Sequence, residues 1–117
     1  MQVNEIGYGD AKPVEGYGPG FFRIGGAVFE GAVICHPGGV SAWGGLADDA
    51  GLLALAGKVD VLLMGMGADI AQVPGDLRAR LEGVGIGVEV MATPPAARTY
   101  NVLLAEGRRV GAALLSV

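Results

Sequence analysis

The spacing of hydrophobic and polar residues changes rhythm near the middle of the chain. In the first half, apolar residues come in short runs broken by glycine: Phe21-Phe22-Arg23-Ile24, Ala27-Val28-Phe29, then Ala32-Val33-Ile34-Cys35. Gly25-Gly26 joins the first two runs, and a two-residue glycine link between short runs predicts a β-hairpin. Gly31 opens the third run and His36-Pro37-Gly38-Gly39 stops it, so it reads as a buried strand. Val40-Ser41-Ala42-Trp43 follows as a loop or short edge strand. Residues 1–20 are rich in turn formers, among them Gly7, Gly9, Pro13, Gly16, Gly18, Pro19 and Gly20. They leave space for at most a short strand near Val3–Tyr8.

The second half alternates. Asp48 or Asp49 caps a helix running to about Ala56, with Gly57 as its C-cap. Val59–Met64 reads as a strand buried on both faces. Pro74 suits the first turn of a second helix, which carries Leu77 and Leu81 and stops at Gly83. Ile86–Met91 is the next strand, and a third helix starts around Thr93-Pro94-Pro95. The last strand, Arg109–Leu115, has Val110, Ala112 and Leu114 on one face and Gly111, Ala113 and Leu115 on the other. Neither face is polar, as expected of a central strand covered on both sides. A hairpin followed by β-α-β-α-β-α-β predicts an α/β three-layer sandwich with a mixed or parallel sheet.

Length and composition narrow the picture. The chain of 117 residues is expected to form one domain over 1–117. It is 51% hydrophobic and 17% charged, a surplus that points to strands covered on both faces or to an apolar patch that meets a partner. The net charge of -4, with no basic cluster beyond Arg108-Arg109, argues against nucleic acid. Cys35 is the only cysteine and His36 the only histidine, so no disulfide forms within the chain and no Cys/His metal spacing exists. No cofactor is implied. The longest apolar runs are interrupted by Lys58, Asp60, Asp69 or glycine short of a membrane span. Met1–Glu5 lacks signal-peptide character, so a cytoplasmic protein that is not integral to a membrane is expected.

The densest polar cluster lies in the third helix. Thr93 is expected to cap it and Pro94 to take the first helical position. First-turn N–H groups and the helix dipole favour an anion there. Arg98 falls near the positive helix end, where the dipole slightly disfavours a cation, so it calls for an acidic partner or a ligand. Glu89 on the preceding strand is the nearest candidate. A structural Arg98–Glu89 pair is the first reading and a ligand site the second. Arg98 and Asn101, three apart, share a helix face. Tyr100 reads as core, its hydroxyl satisfied at the edge.

Gly65-Met66-Gly67-Ala68-Asp69 directly follows a strand, where α/β sheets bind ligands. It opens as G-x-G, but Ile70 stands in the third glycine's place, so a tight turn is preferred to a dinucleotide site. If the strands ending at Met64 and Met91 run parallel, Gly65, Gly67, Thr93, Arg98 and Asn101 meet at one sheet edge. Cys35 and His36 are strand neighbours that point to opposite faces and form no dyad. Asp48-Asp49 reads as a cap rather than a metal site, Trp43 as core, and Arg108-Arg109 as a complement to the third helix's C-terminal end. One histidine at a strand end builds no convincing Ser-His-Asp set. Glu89 has no nucleophile or metal beside it in sequence, so no catalytic residue is assigned.

Val88-Glu89-Val90-Met91-Ala92-Thr93, continuing through Ala97-Arg98-Thr99-Tyr100-Asn101-Val102-Leu103-Leu104-Ala105-Glu106-Gly107-Arg108-Arg109-Val110, resembles the signature of the small Mth938-like domains. Gly20-Phe21 with Arg23-Ile24, Gly31, Pro37 with Trp43, and Leu63-Met64-Gly65-Met66-Gly67-Ala68 extend the likeness over nearly the whole chain. That family includes the mitochondrial complex I assembly factor three and the adipogenesis-associated Mth938-domain protein. The resemblance implies a three-layer sandwich with a central mixed sheet, flanking helices and an N-terminal β-hairpin element. The family it resembles has no established catalytic activity, and its mitochondrial member helps assemble complex I with a partner assembly factor at the inner membrane. Ala92 and Ala97 depart from it, standing where the signature often has a polar residue and a cysteine.

Two functional readings result. The first is a protein-interaction module that assists assembly of respiratory complex I or another membrane complex, homo-oligomerisation being compatible with it. The alternative is a small-molecule or anion-binding protein, or an unassigned enzyme, with a cleft between the Gly65–Gly67 turn and the Thr93–Arg98 helix start.

Overall fold

The computed structural model describes residues 11–117. Three strands come first, β1 (Val14–Gly18), β2 (Phe21–Ile24) and β3 (Ala27–Glu30), and pair as an antiparallel meander. Gly25 (φ 60°) and Gly26 (φ 83°) make the β2–β3 link, with Ile24 opposite Ala27. Both central residues take the left-handed backbone that the two-residue hairpin turn demands. β1 was hidden in the turn-rich stretch, because Gly16 and Gly18 interrupt its apolar pattern. Pairing with β2, through a bulge between Val14 and Gly16, supplies what local propensity does not. The strand expected near Val3–Tyr8 lies outside the described residues.

The second sheet contains β4 (Val33–His36), β5 (Gly39–Ala42), β6 (Val61–Gly65), β7 (Gly87–Met91) and β8 (Val110–Leu114) in the order β5-β4-β8-β6-β7. β4 runs antiparallel to β5 and β8, whereas β6 runs parallel to β7 and β8. The sheet is therefore mixed. β8 lies at its centre and all five of its residues are buried, as its doubly apolar pattern requires. On one face Val110, Ala112 and Leu114 meet α3 (Thr93–Ala105) and the meander's Phe22 and Ile24. On the other, Ala113 joins Leu52 of α1 (Ala50–Leu53) and Leu77 and Leu81 of α2 (Gly75–Gly83). The result is a three-layer α/β sandwich. Fully burying a Phe or Leu side chain contributes about 1.5–3 kcal/mol, so these two cores carry much of the stability.

Local expectations shift in detail. α1 is a single turn rather than a helix to Ala56. Its two aspartates make other bonds: Asp48 Oδ2 accepts the Gly44 N–H at 2.9 Å, and Asp49 pairs with Arg80 of α2. That hydrogen bond from Arg80 holds the Asp49 carboxyl below its ordinary value. Pro74 precedes the first residue of α2 rather than standing inside its first turn. Ala92 is the N-cap of α3, so Thr93 is the first helical residue and no side chain caps the helix. Among the described residues, no helix is long and apolar enough to cross a membrane.

Candidate functional site

The parallel β6–β7 pairing sets Gly65 opposite Met91 and so brings the Gly65–Gly67 turn against the start of α3. The contact is closed. Thr93 N–H donates to the Gly67 carbonyl at 2.8 Å, and Gly67 N–H donates back to Thr93 Oγ1 at 2.9 Å. The Thr93 hydroxyl then donates to the Leu115 carbonyl at 2.7 Å. A side chain at Gly65 would lie 2.8 Å from Thr93 Oγ1 and 3.0 Å from its Cα. Fully buried Thr93 therefore fills the place where a cleft was expected.

The helix start has no spare donors. Thr93 N–H is taken, Pro94 and Pro95 have none, and Ala96 N–H already bonds the Ala92 carbonyl at 3.0 Å. The expected anion site at this terminus is corrected on that ground.

Arg98 and Asn101 turn instead toward β1. Asn101 Oδ1 accepts the Val14 N–H and its Nδ2 donates to the Val14 carbonyl, both at 2.8 Å. With Glu15 and Tyr17 these residues line a groove of about 300 Å³ between α3 and β1. The expected Arg98–Glu89 pair does not form. Ion pairs among the described residues are Arg78–Glu82, Arg80–Asp49 and Arg109–Asp60. Glu89 is exposed on the edge strand β7, while Arg98 lines the β1 side of α3.

Tyr100 is core, but its hydroxyl has no hydrogen-bond partner among the described residues. Burial, and secondarily Cys35, raise the phenol above its ordinary pKa. Burial alone pushes the Cys35 thiol up to about 12, which keeps it unreactive. Arg109 does not serve the end of α3. Its guanidinium donates to the Gly57 carbonyl at 3.0 Å and lies 3.3 Å from Asp60.

Two features were missed. Across the β4–β5 hairpin, His36 Nε2 lies 2.9 Å from Ser41 Oγ. The pair resembles a catalytic dyad, but Gly38 N–H donates to His36 Nδ1 at 3.1 Å. A backbone N–H can only donate, so in the neutral ring the proton sits on Nε2 and is given to Ser41. The imidazole is then unable to accept the Ser41 proton, and the serine is not activated. Burial, then the Lys58 charge, lower the His36 pKa. The alternation that puts residues 34 and 36 on one face was readable, but the partner strand β5 had not been firmly placed.

The second feature is a hollow of about 560 Å³, lined by Ile70, Ala71, Gln72, Val73, Arg78 and Val90. It adjoins β7, the end of the five-stranded sheet. Gly87 N–H donates to Asp60 and the Met91 carbonyl accepts from Met66, both toward β6. The alternate residues Val88 and Val90 therefore direct their backbone groups to the open edge. Arg78 already covers the Val88 carbonyl at 3.0 Å. No group of three or more His, Cys, Asp or Glu among the described residues is placed to hold a metal.

The model of a family described as a protein of unknown function (DUF498/DUF598) matches residues 14–115, from β1 to just beyond β8. The chain belongs to the DUF498/DUF598 family. An uncharacterised Rhodobacter capsulatus protein is 56% identical over 115 residues, covering 98% of this chain and 93% of that one. A Bordetella pertussis structure described as a Mth938-like domain superposes with a TM-score of 0.77 at 30% identity, covering 98% of this chain and 90% of its own. This DUF498/DUF598 chain thus has the Mth938-like fold. A zebrafish protein named NADH dehydrogenase [ubiquinone] 1 alpha subcomplex assembly factor 3 is 31% identical over 106 residues. The match spans 85% of this chain and 61% of the zebrafish protein.

Proposed function

We propose that this cytoplasmic DUF498/DUF598 protein works by holding a protein partner, in the assembly of a membrane-bound complex of the respiratory complex I type. One observation carries the reading. The anticipated ligand cleft is filled by Thr93, while a concavity of about 560 Å³ lies open where the β7 edge meets Ile70, 70% exposed, and Val73. A groove with apolar walls beside unpaired strand groups suits an extended segment of another protein, which gains main-chain bonds from the edge and side-chain contacts from the walls. The likeness to the zebrafish assembly factor supports the same class of role.

The test is affinity purification from native lysate with two groove variants. Ile70→Glu places a charge on the apolar wall. Val90→Pro removes an edge donor without touching the ladder to β6, because that N–H points outward. Subunits or assembly factors of complex I are expected with the wild type and depleted with both variants, whose circular dichroism stays native. Recovery of the same proteins with either variant overturns the groove. Specific proteins unrelated to complex I would overturn the assembly role, and recovery of none the partner reading.

A further inference from the structure

The opposite end of the sheet from the Thr93 turn holds a second concavity, and its walls are cationic. Lys58, Arg108 and Arg109 surround a hollow of about 280 Å³ over Pro37, Leu104 and Val110. Three of the chain's eight Lys and Arg residues meet there, although the chain as a whole is acidic. Among the described residues, no acidic side chain lines the hollow. Arg109 is held in place by the Gly57 carbonyl and by Asp60. At the end of α3, the Leu103 and Leu104 carbonyls accept the Arg108 and Gly107 N–H groups. Lys58 also borders the neighbouring hollow that contains His36, Ser41 and Asp48. The cationic wall thus reaches the only histidine.

We propose that Lys58, Arg108 and Arg109 form an anion site for a phosphoryl group. Guanidinium forks match phosphate oxygens in pairs, and an ammonium adds a point charge. The site is separate from the β7 groove and does not depend on the partner reading. The phosphoryl group comes either from a soluble phosphate compound or from a phospholipid headgroup.

His36 is the reporter. Among the described residues, the charged or titratable groups facing it are Lys58 and Asp48, with the Ser41 hydroxyl between strands. A bound anion offsets the Lys58 charge, so the His36 pKa rises. Its ring resonances are titrated with pH in inorganic phosphate and in chloride at equal ionic strength. An upward shift of about half a unit in phosphate is expected for the wild type. That difference is lost in the Lys58→Gln/Arg108→Gln double variant, whose changes are both on exposed side chains. In a second arm, the wild type and the double variant are sedimented with phosphatidylglycerol and with phosphatidylcholine vesicles. Pelleting of the wild type alone, with the anionic lipid alone, assigns the headgroup as source. A phosphate response without pelleting assigns a soluble compound. Identical His36 titrations in the two salts together with no anionic-lipid pelleting overturn the site, as does a phosphate response that persists in the double variant.

Discussion

The two ends of helix α3 are built in opposite ways. At its start every backbone donor is removed by proline or bonded, and the one polar side chain, Thr93, is buried with both hydrogen-bonding roles filled. At its finish the chain turns through Gly107 into exposed cations around an open hollow. A helix N-terminus is a ready anion site only while its N–H groups are unassigned. Here two prolines and a neighbouring turn have converted that end into a structural lock. Beyond its other end, Arg109 is placed by the Gly57 carbonyl and Asp60 rather than by the helix's last carbonyls.

The strongest way to break this contrast is Thr93→Val, which keeps shape and deletes both hydroxyl bonds. The Gly67 N–H and the Leu115 carbonyl then lose their partner, and stability measured by urea unfolding should fall by about 1–3 kcal/mol. Little or no loss would mean that the start of α3 is not a lock. Asn101→Leu tests the middle of the helix. The expected loss is about 1–2 kcal/mol, with faster hydrogen exchange at the Val14 amide, which Asn101 Oδ1 holds.

The contribution of His36 follows pH. The fold favours the neutral ring, chiefly by burial and then through Lys58, so the folded pKa lies below the unfolded value. That contribution is complete above the unfolded pKa near 6.5 and is lost as pH falls from there toward the folded pKa. Unfolding curves between about pH 7.5 and 5 should show the decline, and His36→Gln should flatten it. The smallest effects are expected inside and outside the core. Tyr100→Phe removes a hydroxyl that finds no described partner, so thermal unfolding should show no loss and up to about 1 kcal/mol of gain. Arg98→Ala, on an exposed side chain, should stay within about 0.5 kcal/mol of wild type.

Much of the fold was legible because its signals are local and strong. Gly25-Gly26 can hardly join two strands except by a tight turn, and the doubly apolar pattern of β8 demands a central place. The approach of the Gly65–Gly67 turn to Thr93 was readable on the condition that the two strands run parallel, as β6 and β7 do. What could not be read was how the approaching groups would pair. Thr93 as a cap and Arg98 as the mate of Glu89 were arguments from sequence distance. The structure instead bonds Thr93 to residues 67 and 115, and Asn101 to residue 14. β1 was missed for the same reason, since its glycines become a strand only when β2 lies alongside. The cationic hollow was half visible in Arg108-Arg109, but Lys58 joins it from a loop far away in sequence.

The Asn101–Val14 clasp closes a separation of 87 residues. The meander it fastens is made of contacts between near neighbours, so its three strands can pair soon after they are synthesised. Its inner face, with Phe22 and Ile24, shares one core with α3 and the central sheet, and that core is complete only when α3 and β8 have emerged. During translation the N-terminal part of this protein therefore presents an incompletely covered apolar sheet until the C-terminal third of the chain appears. Exposed apolar surface of this kind is what makes incomplete chains prone to associate.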